Sequence, residues 1–278
     1  MTSALRVPFA KMEGCGNDYV YVDAIAAAFP RARAPELARR WSDRHFGIGA
    51  DGLVLLEPSS AAAVGMAMWN ADGSLGAICG NGLRCLAKFA RERGHVAADR
   101  FTVETGAGVR RVELVRDGAG AIAGARVDLG RVRVEPEPLQ LRVGDRRLAC
   151  HRGDAGNPHA VVVLDADPDG FPVDAIGSAL QTHAAFPDGV NVEFVQVLAD
   201  GTLRQRTFER GSGETMACGS GAAVAALLAV RAGLLPGPDV RVRLRGGDLD
   251  VHCGDGLLVI AGPARTVFTG EIEIEPLA

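Results

Sequence analysis

The sequence predicts an α+β fold made of two related halves. Three observations lead there: a stretch of chain that repeats itself at a nearly constant offset, short apolar runs of strand length separated by turn residues, and one clear helix in each half.

The repeat comes first. An offset of 139 carries Cys79 of CGNGLRCLAKFARERG onto Cys218 of CGSGAAVAALLAVRAG. The same offset puts Gly80, Gly82 and Gly94 on Gly219, Gly221 and Gly233, and Ala87 and Ala90 on Ala226 and Ala229. Upstream, an offset of 140 sets Gly16 and Asn17 on Gly156 and Asn157, Val20 and Val22 on Ala160 and Val162, and Phe46 and Gly49 on Phe186 and Gly189. One coincidence would carry little weight; several at nearly one offset imply a duplicated unit of about half the chain.

In chain order, YVYVDA, LVLLE, FTVETG and VRRVELV, then AVVVLD, NVEFVQV, RVRLR and LLVIAG, are rich in Val, Leu and Phe and bounded by Gly, Asp and Pro. They read as strands. The helices are expected over residues 83–93 and 222–232, each opened by a glycine pair and closed at Gly94 or Gly233. Strands dominating around one main helix per half make an α+β pattern. The expected division is 1–125, carrying Cys79, and 126–278, carrying Cys218, with the last strand free to pack on the first half. Gly47-Ile48-Gly49-Ala50-Asp51-Gly52 spells G-x-G-x-x-G but leads into a strand instead of out of one into a helix, so it reads as a turn and not a dinucleotide fingerprint.

Composition narrows the function classes. At 278 residues with 47% apolar and 23% charged residues, the chain can bury a substantial core. The net charge of -4 and the scatter of 30 basic residues argue against a nucleic-acid partner. The N-terminus lacks the apolar stretch of a secretion signal, and the longest apolar run, residues 222–230, is far below the ~20 residues a bilayer requires. A cytoplasmic protein with no membrane association is expected.

The six cysteines show no C-x-x-C pair, and with the six histidines they form no ligand spacing, so neither a disulfide framework nor a metal is expected. Cys85, Cys150 and Cys253 read as buried small hydrophobes. Cys79 and Cys218 differ, because each precedes a Gly-x-Gly and a helix. A helix N-terminus favours an anion, which lowers a thiol pKa and suits the cysteine to act as a base. For one C-G-x-G the plainer reading is a buried cysteine with glycines serving the turn; two at matched positions point to chemistry. Inverting a carbon centre needs one group to remove a proton and another to deliver one on the opposite face, and a duplicated scaffold offers two equivalent thiols. No cofactor is expected: only Lys11 and Lys88 are lysines, and neither is well placed for a pyridoxal phosphate Schiff base.

The segments GCGNDYVYVD, RHFGIGADG, NADGS with CGNGLRC, GNPH, FPDGVNVEFV and ERGSGETMACGSG make the chain resemble the diaminopimelate epimerases along nearly its whole length. That resemblance implies two pseudo-symmetric domains, each with strands wrapped around a central helix, an active site at their junction, and cofactor-independent conversion of LL- to meso-diaminopimelate in lysine and cell-wall precursor synthesis. It implies an amino-acid substrate and a homodimer. Carried over by position, Cys79 and Cys218 are the acid/base pair, with His159 and Glu209 tuning the thiols. Gly80, Asn81, Gly219 and Ser220 meet the reacting carboxylate, while Asn17, Asn70, Asn157, Asn191, Glu209 and Arg210 read the rest of the substrate. The chain departs from the family pattern at Cys15, Tyr19, Leu75, Asp154 and Ala155. Two other readings remain open: a racemase of another amino acid, of histidine or proline type, on the same scaffold, and a non-catalytic amino-acid binding protein.

Overall fold

The computed structural model describes residues 5–254 and 257–275. Its elements run β1 (Leu5–Gly14), β2 (Asn17–Asp23), α1 (Ala34–Ser42), β3 (Gly52–Glu57), β4 (Val64–Asn70), β5 (Leu75–Gly76), α2 (Gly80–Glu92), β6 (Arg100–Thr105), β7 (Gly108–Arg116) and β8 (Ile122–Gly130). There follow β9 (Arg133–Val134), β10 (Leu139–Val143), β11 (Arg146–Asp154), β12 (Pro158–Val163), α3 (Val173–Gln181), β13 (Asn191–Val197), β14 (Leu203–Glu209), β15 (Gly213–Thr215), α4 (Gly219–Arg231), β16 (Asp239–Leu244), β17 (Gly247–Cys253), β18 (Leu258–Pro263) and β19 (Arg265–Ile274). Two compact units result, Met1–Val127 with Pro263–Ala278, and Asp128–Gly262. The class is α+β.

The first unit orders its strands β19-β1-β2-β3-β4-β6-β7-β8, with β5 beside β4. The second orders its own β10-β11-β12-β13-β14-β16-β17-β18, with β15 beside β14 and β9 beside β11. The parallel pairs fall at matching places, β2–β3 and β4–β6 in one, β12–β13 and β14–β16 in the other, and the remaining pairs are antiparallel. Register matches as well: Val20 faces Leu53 where Ala160 faces Val192. The repeat read from the sequence is thus a repeat of topology.

Each unit closes on a central helix. α2 lies against β1, β2, β3, β4 and β7, and α4 against β12, β13, β14, β16 and β17. Gly219 and residues 221–229 of α4 are all buried, the signature of a helix with strands on every side. Both helices end alike. Gly94 (φ 81°) and Gly233 (φ 69°) take the left-handed conformation, and His95 and Leu234 return N–H bonds to Ala90 and Ala229 at 3.0 and 2.9 Å. Each helix starts three residues earlier than its apolar pattern suggests, with the glycine pair inside the first turn.

A second helix per unit, α1 or α3, joins the core. Ala34, Leu37, Ala38 and Trp41 of α1 pack with Val20, Leu53 and Trp69, and Val173, Ile176 and Leu180 of α3 with Val192 and Phe194. The Gly47–Gly52 stretch is a turn: Gly47 and Ile48 donate to the Asp43 and Trp41 carbonyls, and Gly52 opens β3. Among the described residues, no helix is long and apolar enough to cross a membrane.

Candidate active site

Cys79 and Cys218 are the N-caps of α2 and α4. Each has extended backbone, and each sulfur accepts the N–H of the second glycine, Gly82 at 3.3 Å and Gly221 at 3.4 Å. A sulfur thus takes the place where a serine or aspartate oxygen usually caps a helix, at the positive end of the dipole.

In the first unit the Cys79 thiol donates to Oδ1 of Asn17 at 3.1 Å, and Nδ2 of Asn81 lies 3.5 Å from the same oxygen. Asn17 is held from behind: its Nδ2 donates to Asp51 Oδ2 at 2.6 Å, which also accepts the Asp18 N–H. That contact fixes which end of the amide meets the thiol. The buried Tyr19 hydroxyl contacts both Cys79 and Asn17; burial, with the Cys79 and Asp51 charges, raises its pKa well above the usual phenol value. Asn70 is exposed and donates to Ser74 Oγ at 2.9 Å.

In the second unit Cys218 is buried among ionisable groups. His159 donates from Nδ1 to Glu193 Oε1 at 2.9 Å, both side chains being fully buried, and its Nε2 lies 3.0 Å from Asn157 Oδ1. Glu209 accepts from Thr215 Oγ1 and hydrogen-bonds Cys218, while Ser220 Oγ sits 3.4 Å from the sulfur. Burial raises the Cys218 thiol well above its usual value; the Glu209 and Glu193 charges add to that, and the Ser220 and Gly221 hydrogen bonds oppose it. The helix start alone suggests a lowered thiol. Here burial and the two carboxylate charges raise Cys218 instead. Burial likewise pushes Cys85 and Cys150 to about 12 and the partly buried Cys253 to about 11.

One ligand atom each from His159, Glu193 and Cys218 lies within 4.8 Å of the other two, a donor set that could close on a soft divalent cation. The imidazole–carboxylate hydrogen bond already accounts for one side of that triangle.

The remaining expected residues divide. Asn191 is spent on the backbone, donating to the Pro158 carbonyl at 3.3 Å and accepting the Arg210 N–H at 2.9 Å. Arg210 is exposed and donates to the Asp188 carbonyl at 3.0 Å. Gly80 and Gly219 open the helices. Cys15 is buried in the β1–β2 turn at φ 56°, with Arg84 Nη2 3.8 Å from its sulfur. Both lysines are engaged: Lys11 with Asp18 and the Gly49 carbonyl, Lys88 with the Ile122 and Ala264 carbonyls. Sequence reasoning passes over Asp51 and Glu193. The signal for Glu193 is a lone carboxylate inside the apolar run NVEFVQV.

The sequence model of the family described as Diaminopimelate epimerase matches residues 9–135 and 153–267. A diaminopimelate epimerase of Pelotomaculum thermopropionicum is 43% identical over 276 residues, covering 95% of this chain and 98% of the relative. One from Leptospira biflexa is 39% identical over 284 residues, 97% of this chain and all of that one. Among solved structures, a phenazine biosynthesis protein of the PhzF family from Bacillus anthracis superposes with a TM-score of 0.76 at 16% identity, covering 97% of this chain and 99% of its own. A hydroxyproline epimerase from Agrobacterium vitis gives a TM-score of 0.75 at 16% identity, covering 98% and 93%.

Proposed function

Because the chain belongs to the diaminopimelate epimerase family, we propose that it interconverts LL- and meso-diaminopimelate by passing the α-proton between Cys79 and Cys218. The observation that carries this reading is the matched pair of cysteine N-caps, each with its sulfur on the N–H of the second glycine.

An α-proton next to a carboxylate is a poor acid, so the reaction needs a base close to one face and an acid close to the other. One sulfur, as thiolate, takes the proton; the other, as thiol, returns a different proton to the opposite face. Exposed N–H groups at a helix start suit the substrate α-carboxylate, where negative charge builds during proton removal. Glu209, bonded to Cys218, favours the thiol there and so assigns it the acid role in one direction. Asn17 and Asn157 contact Cys79 and His159 respectively and suit the amino group. Arg210 has the planar fork that reads a distal carboxylate.

The test is epimerisation in D2O. The product formed from LL-diaminopimelate should carry one solvent deuterium at the inverted carbon, and Cys79→Ser and Cys218→Ser should each lose at least about 100-fold in kcat with unchanged circular dichroism. Near-parental turnover by either serine variant overturns the two-thiol scheme. A panel including histidine and proline identifies the substrate: exchange confined to those amino acids overturns the assignment to diaminopimelate.

A further inference from the structure

The two units share the order of their main strands, and beside the thiols they differ in charge: Glu209 answers by register to the neutral Asn70, and a second difference lies on the adjoining strand. Parallel register sets Leu53 equivalent to Val192, so Val54 on β3 answers to Glu193 on β13. Likewise Tyr19 answers to His159, two residues beyond Asn17 and Asn157. Val54 and Glu193 are both fully buried. The fold therefore accommodates a valine at this position, and a carboxylate there costs free energy that an aliphatic side chain would not. Only part of the cost is offset: Oε1 accepts from His159, while Oε2 is buried with no hydrogen-bond partner among the described residues.

The neighbouring backbone is shaped to the carboxylate. A Cβ at Gly221 would lie 2.2 Å from Glu193 Oε1, whereas one at Gly82 would meet nothing closer than 3.4 Å. The groups around Glu193 are His159 from β12, Glu209 from β14, Cys150 from β11 and Cys218 at the start of α4.

We propose that Glu193 is a positioning residue for the epimerisation, holding the His159 ring in one orientation beside Cys218 and making the second unit's proton carrier unlike the first's. This rests on the reading of Cys218 as an acid/base group. A carboxylate accepts only, so it takes the Nδ1 proton and fixes the ring plane, with Nε2 turned to the Asn157 amide oxygen. Its charge also disfavours a thiolate at Cys218. Duplication alone would give two interchangeable thiols; Glu193, together with Glu209, distinguishes them.

Glu193→Gln keeps the size and an acceptor but loses the charge, and Glu193→Val installs the first unit's residue. In Glu193→Gln, kcat should fall roughly 10- to 100-fold, the range for losing the partner that orients a functional imidazole, with KM for diaminopimelate within about twofold. The pH profile of alkylation by iodoacetamide, resolved by peptide mass spectrometry, should shift down by roughly one pH unit for Cys218 and stay in place for Cys79. Glu193→Val should lose more turnover and shift Cys218 the same way. Turnover within twofold of the parent in Glu193→Gln overturns the proposal, as do profiles that move together or not at all. Loss of fold in both variants also overturns it, because the carboxylate is then structural. If the parent enzyme fails to convert diaminopimelate, the substrate reading falls, yet the alkylation profiles, which need no substrate, still decide the role of Glu193.

Discussion

Glu209 illustrates how a single side chain can serve chemistry against stability. Burial raises its carboxyl above the usual value; the Glu193 charge adds to this, and the Thr215 and Cys218 hydrogen bonds oppose it. A carboxyl that binds its proton more tightly in the folded chain favours the fold in acid and works against it as pH rises through its folded pKa. Glu209→Gln removes that opposition. The variant should therefore melt at a higher temperature than the parent at neutral pH, with the difference closing towards about pH 4, where the unfolded parent's Glu209 is also protonated. Activity should fall by about tenfold or more at the same time. Thermal melts followed by circular dichroism across that pH range check the sign, and a variant less stable at pH 7 than at pH 4, relative to the parent, contradicts it. At this scale the chain was partly legible. Cys79 and Cys218 stand out because they recur, and the Asn17–Asn157 match follows from the same offset. His159 and Glu209 are reached only through the family resemblance, since a lone histidine or glutamate carries no spacing signal. Glu193 was hidden inside a run that reads correctly as a strand.

Among the elements, α2 and α4 have nearly the same length and ends but unequal tolerance of an added methyl at their third residue. Alanine is the better helix former by up to ~1 kcal/mol, so Gly82→Ala should be neutral or slightly stabilising. Gly221→Ala drives a Cβ onto Glu193, and overpacking of that kind costs about 1–3 kcal/mol. Urea denaturation of the two variants side by side measures the contrast; equal midpoints would mean that the Glu193 side chain gives way without cost. The strands with plain apolar runs were readable in sequence, and so were both central helices. α1 and α3 were not, although Leu37, Ala38 and Trp41 sit at helical spacing, because prolines crowd the approach to α1 and Gly177 interrupts α3. β14 is hidden in the sequence for another reason. Its inward positions include Gln205 and Thr207, polar residues paired with each other at 3.0 Å, so the alternation that marks a half-buried strand is absent.

For the molecule as a whole, the strand order of the first unit is closed by β19, the last of the described strands. β19 pairs with β1 from Leu5↔Ile274 to Glu13↔Arg265 and covers an edge whose Val7, Phe9 and Met12 are buried. A chain ending at Pro263 keeps both thiols and all strands of the second unit, yet leaves β1 with unpaired backbone and uncovered apolar side chains. It should be aggregation-prone and inactive, and adding residues 264–278 back as a separate peptide should recover soluble protein. Size-exclusion chromatography of the truncated chain with and without the peptide reads the outcome, and a soluble, active truncated chain would assign β19 no part in closing the unit.

The same closure by β19 has a consequence on the ribosome. The second unit is a guest inserted between β8 and the final strand of its host, so synthesis delivers everything the guest needs before the host can finish. At ordinary elongation speeds the nascent first unit waits on the order of ten seconds with β1 open. β1 waits for a partner made much later, and during that interval chaperone contact with the β1 edge would guard the half of the protein that carries Cys79.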